Sequence, residues 1–66
     1  MKIIINGEDY ITRENISLCN LIEEKNINIA TIAIAINEEI IDKKDLQSII
    51  LKENDILELL IFAGGG

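Results

Sequence analysis

An α+β fold, with a mixed sheet of four to five strands packed on one helix, follows from three features of this 66-residue sequence. Short strand-like apolar runs stand towards both ends of the chain, the β-rich Lys2-Ile3-Ile4-Ile5 and Ile56 to Phe62. One amphipathic segment with a helical apolar spacing, Leu18, Leu21 and Ile22, lies between them. Turn signals separate the segments, and no internal repeat or linker intervenes. Strands on both sides of a single helix can bury its apolar stripe only against one sheet.

The first run leads into Asn6-Gly7, and Asn-Gly between extended segments signals a two-residue hairpin, because a type I′ turn needs positive φ at both central positions. The second strand then runs from Glu8 to Arg13. A two-residue loop pairs Ile5 with Glu8 and Ile3 with Tyr10. With Ile3 and Ile5 inward, Tyr10 and Thr12 share their face, and Ile4 and Ile11 lie on the other. Tyr10 is therefore expected as a core or rim aromatic.

Ser17 is placed to cap the helix, with Ile16 as its hydrophobic staple, and the helix is expected to end near Lys25-Asn26. Asn20 stands where a capping box would hold Glu or Gln. Cys19, beside Ile22 on the helical wheel, reads as a partly buried structural thiol. Thr31 to Asn37 alternates isoleucine with alanine, as a strand with branched residues inward and small ones outward, or as a fully buried strand. Asn37-Glu38-Glu39 turns into Ile40-Ile41. Asp42 to Asp45 is a polar connection with room for one helical turn, with Leu46, Ile49 or Ile50 beneath it. Lys52 to Asp55 is a further turn, and the last strand spans Ile56 to Phe62. This order matches the β-grasp fold, with the first and last strands as parallel neighbours in the sheet centre. Residues 1–62 form the domain and 63–66 a flexible tail.

Composition bounds the function. The lone Cys19 forms no internal disulfide, there is no histidine, and no cysteine pair suggests a structural metal. A single thiol and the lack of an export signal or an apolar run of membrane-spanning length point to the cytoplasm, with no membrane partner. The formal charge of −6 argues against nucleic acid and suits a partner with a basic docking surface. Carboxylates at Glu23-Glu24, Glu38-Glu39 and Glu53/Asp55 fall on turns or helix surface, where solvation explains them. Asp42/Asp45 and Glu53/Asp55 lack cation-ligand spacing. No glycine-rich loop joins a strand to a helix.

The chain closes on Gly64-Gly65-Gly66. A glycine run at a terminus is either frayed chain or a segment slim enough for a narrow channel that side chains would block. In the second case the reactive group is the Gly66 carboxylate. It needs activation, for example as an acyl-adenylate, and another protein must supply the ATP site. No cofactor is expected on this chain.

Several segments together resemble the bacterial ThiS family, the sulfur carrier proteins of thiamine biosynthesis. They are the Asn6-Gly7 hairpin, Ser17-Leu18-x-x-Leu21-Ile22, Ala33 to Ile41, Asn54-Asp55-Ile56-Leu57-Glu58 and Phe62-Ala63-Gly64-Gly65-Gly66. The similarity covers essentially the whole chain. It implies a ubiquitin-like β-grasp domain without enzymatic activity of its own. It also implies that Gly66 is adenylated by a ThiF-type enzyme and converted to a thiocarboxylate, with sulfur from cysteine through a cysteine desulfurase. Thiazole synthase would then take the sulfur. The family pattern ends in two glycines, and this chain has a third. Other readings of the same architecture are a molybdopterin synthase small-subunit-like carrier, a ubiquitin-like protein modifier and a non-catalytic β-grasp interaction module.

The last strand carries an inference of its own. With Glu58 toward solvent, Leu57, Leu59 and Ile61 face the core while Leu60 and Phe62 share the outer face. Two exposed large apolar residues before the tail predict a docking patch for the activating enzyme, Leu60 and Phe62, joined by an outward Ile4.

Overall fold

The computed structural model describes residues 1–62, so the domain is visible and the expected tail, 63–66, lies outside the described residues. The elements follow in the order β1 (Lys2–Ile5), β2 (Glu8–Ile11), α1 (Leu18–Glu24), β3 (Ile32–Ile36), β4 (Glu39–Ile40) and β5 (Ile56–Ile61). Two single 3-10 turns, Ile29–Thr31 and Lys43–Asp45, join them. The strands make one five-stranded sheet in the order β2-β1-β5-β3-β4. β1 and β5 are parallel, and the other neighbours are antiparallel. This is the expected β-grasp arrangement.

Each element has a local cause. Asn6 and Gly7 take φ of 51° and 84°, which closes the hairpin with the expected partners, Ile5 opposite Glu8 and Ile3 opposite Tyr10. A Cβ at Gly7 would meet nothing, so the glycine is there for its dihedral and not for space. Ser17 Oγ accepts from the Asn20 amide at 3.0 Å and starts α1, whose stripe of Leu18, Leu21 and Ile22 is buried. Asn26, at φ 58°, ends it. The Asn26 amide donates to the Glu23 carbonyl and the Ile27 amide to the Ile22 carbonyl, a Schellman motif with asparagine in the glycine position.

The core is purely aliphatic. Among the described residues, all twelve buried hydrophobic residues are isoleucine or leucine, and no polar or charged residue is buried. Inward Ile3 and Ile5 of β1, Ile32 and Ile34 of β3, and Leu57 and Leu59 of β5 meet the helix stripe in one cluster. Ala33 and Ala35 are half-buried on the opposite face, so β3 has branched residues inward and small ones outward. Of the residues expected beneath the connection after Asp42, Leu46 is buried, Ile49 half-buried and Ile50 exposed.

Four expectations are corrected. β2 stops at Ile11, although the Thr12 amide still donates to the Met1 carbonyl at 2.9 Å. β3 begins at Ile32, because Thr31 closes a 3-10 turn capped by Asn28. β5 ends at Ile61, with one more bond from the Phe62 amide to the Thr31 carbonyl. Ile61 does have the parity of Leu57 and Leu59, yet it is 64% exposed. Its strand neighbour on the β1 side has already turned away at Asn6, and what surrounds it is a shallow groove with Ile5, Tyr10, Lys25 and Ile27.

Candidate functional site

β5 leads straight to the glycines, so what grips β5 sets the base of the tail. Register divides the grip in two. β1 pairs with the start of the strand, Ile4 beside Ile56 and Ile5 beside Leu57. β3 pairs with the whole length, from Ile36 beside Leu57 to Ile32 beside Ile61. Both partner strands end level with Leu57, so the Asn6-Gly7 and Asn37-Glu38 turns flank β5 there.

Both turns hold β5 with side chains as well as backbone. Asn6 Oδ1 accepts from the Leu59 amide at 2.8 Å while its Nδ2 donates to the Leu59 carbonyl at 3.2 Å. The side-chain amide thus stands in for the strand residue that the turn removes. On the other edge Asn37 Oδ1 accepts from the Ile56 amide at 3.0 Å, and its Nδ2 donates to Asp55 Oδ1 at 3.2 Å. Asp55 Oδ2 in turn accepts from the Lys52 amide at 2.8 Å, so this carboxylate belongs to the turn before β5. Among the described residues no group of three or more His, Cys, Asp or Glu could hold a metal ion.

The outer face of the sheet, away from α1, is the broad surface around the tail's base. Leu60 is 63% exposed and Phe62 53% exposed, as expected of the outward parity. Leu60 lies beside Ala33, whose small side chain leaves it standing clear. Ile4 is on the same face but is only half exposed and sits beside Ile56. Leu60 is four positions beyond Ile56, which is about 13 Å of strand, and Glu58 stands between them. Ile4 is therefore not contiguous with Leu60 and Phe62. Two exposed isoleucines escaped the sequence reading, Ile56 at 48% and Ile40 at 83%. Ile56 was detectable, since it has the parity of the outward Glu58. Ile40 reaches this face through its pairing with Ala35, a register that only the folded sheet sets.

Tyr10 and Cys19 lie off this face. Tyr10 is a rim aromatic, with Lys25 Nζ 4.6 Å from its ring centroid. The Cys19 thiol lies 3.5 Å from Glu23 Oε1, and partial burial, followed by the hydrogen bond and charge of Glu23, holds its pKa above the ordinary value. That suits an unreactive thiol. Gly64, Gly65 and Gly66 lie outside the described residues.

The ThiS family model matches residues 3–66. Two solved structures share the fold. The crystal structure of the thiamine biosynthesis protein ThiS from Geobacter metallireducens superposes with a TM-score of 0.87 at 22% identity, covering all of both chains. A solution structure of a thiamine biosynthesis protein from the same organism gives 0.82 at 23%, covering all of this chain and 88% of that one. In sequence, the chain is 32% identical over 62 residues to the uncharacterized protein ycf40 of Trieres chinensis, 94% of this chain and 85% of that protein. It is also 30% identical over 66 residues to a thiazole synthase of Paramagnetospirillum magneticum, where the whole chain spans only 20% of the longer protein.

Proposed function

The chain belongs to the ThiS family, and from that premise we propose that it is a sulfur carrier whose Gly66 carboxylate becomes a thiocarboxylate for thiazole formation. A carboxylate resists nucleophiles because its oxygen leaves poorly. A ThiF-type adenylating enzyme overcomes this with ATP, joining Gly66 to AMP and releasing pyrophosphate. A desulfurase draws sulfur from cysteine as an enzyme-bound persulfide, whose outer sulfur adds to the carbonyl carbon as AMP departs. A second thiol then reduces the resulting acyl disulfide, leaving the Gly66 thiocarboxylate and an enzyme disulfide, and thiazole synthase takes that sulfur. The chain is a protein co-substrate in this scheme, and catalysis and the ATP site belong to its partners in the cytoplasm. Gly64 and Gly65 keep the tail slim enough to enter both active sites.

The observation that carries the reading is a family match that runs to Gly66, over a domain whose central strand leads directly to the glycines. The thiazole synthase relative favours the thiamine pathway over the molybdopterin one. Joining two modules in one chain raises their effective concentration for each other, an arrangement suited to modules that work together. Leu60 and Phe62 dock on the adenylating enzyme, with Ile4 farther along the same face.

Intact mass after incubation with ATP, the ThiF-type enzyme of the same genome, a desulfurase and cysteine tests the scheme. Exchange of one oxygen for sulfur is expected, along with consumption of the product by thiazole synthase. An unchanged mass, or conjugates on lysines, would refute it. Leu60→Asp and Phe62→Asp should each raise the KM for adenylation about tenfold or more. Unchanged kinetics in variants with native circular dichroism would remove the docking role.

A further inference from the structure

The outer face carries a groove where the two turns flank β5. Ile4 and Ile56 form its apolar floor, and Glu38 and Glu58 stand on its rim. The turn asparagines that also line it, Asn6 and Asn37, have their amides committed to β5 and to Asp55. No Lys or Arg lines the groove. Among the described residues the ion pair is Arg13 with Glu24, which involves neither rim carboxylate. Lys2, the basic residue that strand register puts on this face, stands two positions before Ile4 and outside the groove.

We propose that this groove receives a lysine or arginine side chain from the protein that docks on the outer face. Such a side chain matches both parts of the groove. Its aliphatic stem covers Ile4 and Ile56, which are otherwise left partly wet. Its charged head reaches Glu38 and Glu58, which no ion pair among the described residues neutralises. A purely apolar occupant would leave two carboxylates desolvated without a partner, and an acidic one would be repelled. The groove ends at Glu58, two positions before Leu60 on the same face of β5, so one partner surface can cover both regions. Docking would then have an apolar anchor beside the tail and a charged contact about 13 Å away that sets orientation.

The proposal rests on the carrier reading, and adenylation kinetics of the full chain with the ThiF-type enzyme test the two separately. Glu38→Lys and Glu58→Lys should each raise KM about tenfold with kcat unchanged. The wild-type KM should rise with added sodium chloride more steeply than that of the Glu38→Gln/Glu58→Gln double variant. Both positions are exposed, and the glutamine variants keep side-chain size, so a folding failure of the lysine variants does not stop the test. A wild-type chain that is adenylated while all four substitutions leave KM and its salt dependence unchanged overturns the groove proposal and spares the carrier reading. A wild-type chain that is not adenylated overturns both.

Discussion

Asn6 is a turn residue and a strand substitute at once. Its φ of 51° helps close the hairpin, and its side-chain amide bonds both backbone groups of Leu59, fifty-three positions away. The two roles can be separated by Asn6→Gly, which accepts the same dihedral and loses both bonds. That variant should lose about 1–2 kcal/mol in urea denaturation, the value of a lost partly buried hydrogen-bonded pair. A loss near zero would mean that water replaces the amide without cost. Only the first role was legible in the sequence, because Asn-Gly acts on its own neighbours. Nothing local to Asn6 indicates Leu59, whose position depends on β5 arriving as a parallel neighbour. Cys19 was readable for the opposite reason. The absence of histidine is a property of the composition, and beside partial burial the carboxylate that helps raise the thiol's pKa sits one helical turn away at Glu23.

Among the elements, the two hairpin turns differ in an instructive way. Asn6-Gly7 uses the preferred residues, whereas Asn37-Glu38 places glutamate at φ 73°. Glu38→Gly should therefore stabilise the domain by about 0.5–1 kcal/mol, through relief of the left-handed conformation. It should also weaken adenylation by removing a rim carboxylate, so thermal melting and KM would move in opposite directions. A lower melting temperature would show that Glu38 is comfortable as it stands. β5 shows the limits of pattern reading at the same scale. Alternation sorted Leu57 to Phe62 between two faces, and Leu57 to Leu60 follow it, Leu57 and Leu59 buried and Glu58 and Leu60 exposed. Alternation cannot say how far the core extends, and Ile61 emerges from it where β1 has ended.

For the whole molecule, the single aliphatic core is the only large stabilising term, because the described residues contain no buried polar network and Cys19 is unpaired. A domain of this size has about 3–5 kcal/mol in hand. Leu57→Ala, at the second position of the central strand and fully buried, should cost about 2–5 kcal/mol. It should leave a substantial unfolded fraction by far-ultraviolet circular dichroism at 25 °C. A variant as stable as the parent would mean that the core collapses around the gap. The small scale of the fold also bears on function. The described domain is a scaffold for β5, with two shallow grooves and a broad sheet face as its main surfaces.

By itself the sequence determined the elements, the first hairpin's register, the helix cap, the α+β class and the family. Each of these follows from residues close together in the chain or from a pattern repeated along it. The tertiary structure alone decided where Ile4, Ile56, Glu38 and Glu58 meet, why Ile61 is exposed and how Ile40 joins the outer face. Those outcomes depend on which strands become neighbours and where each one stops. The pairing of β1 with β5 joins residues about fifty positions apart. No local propensity encodes that distance, and it is the fold's long-range pairing that turns the last strand, the one before the glycines in sequence, into the centre of the sheet.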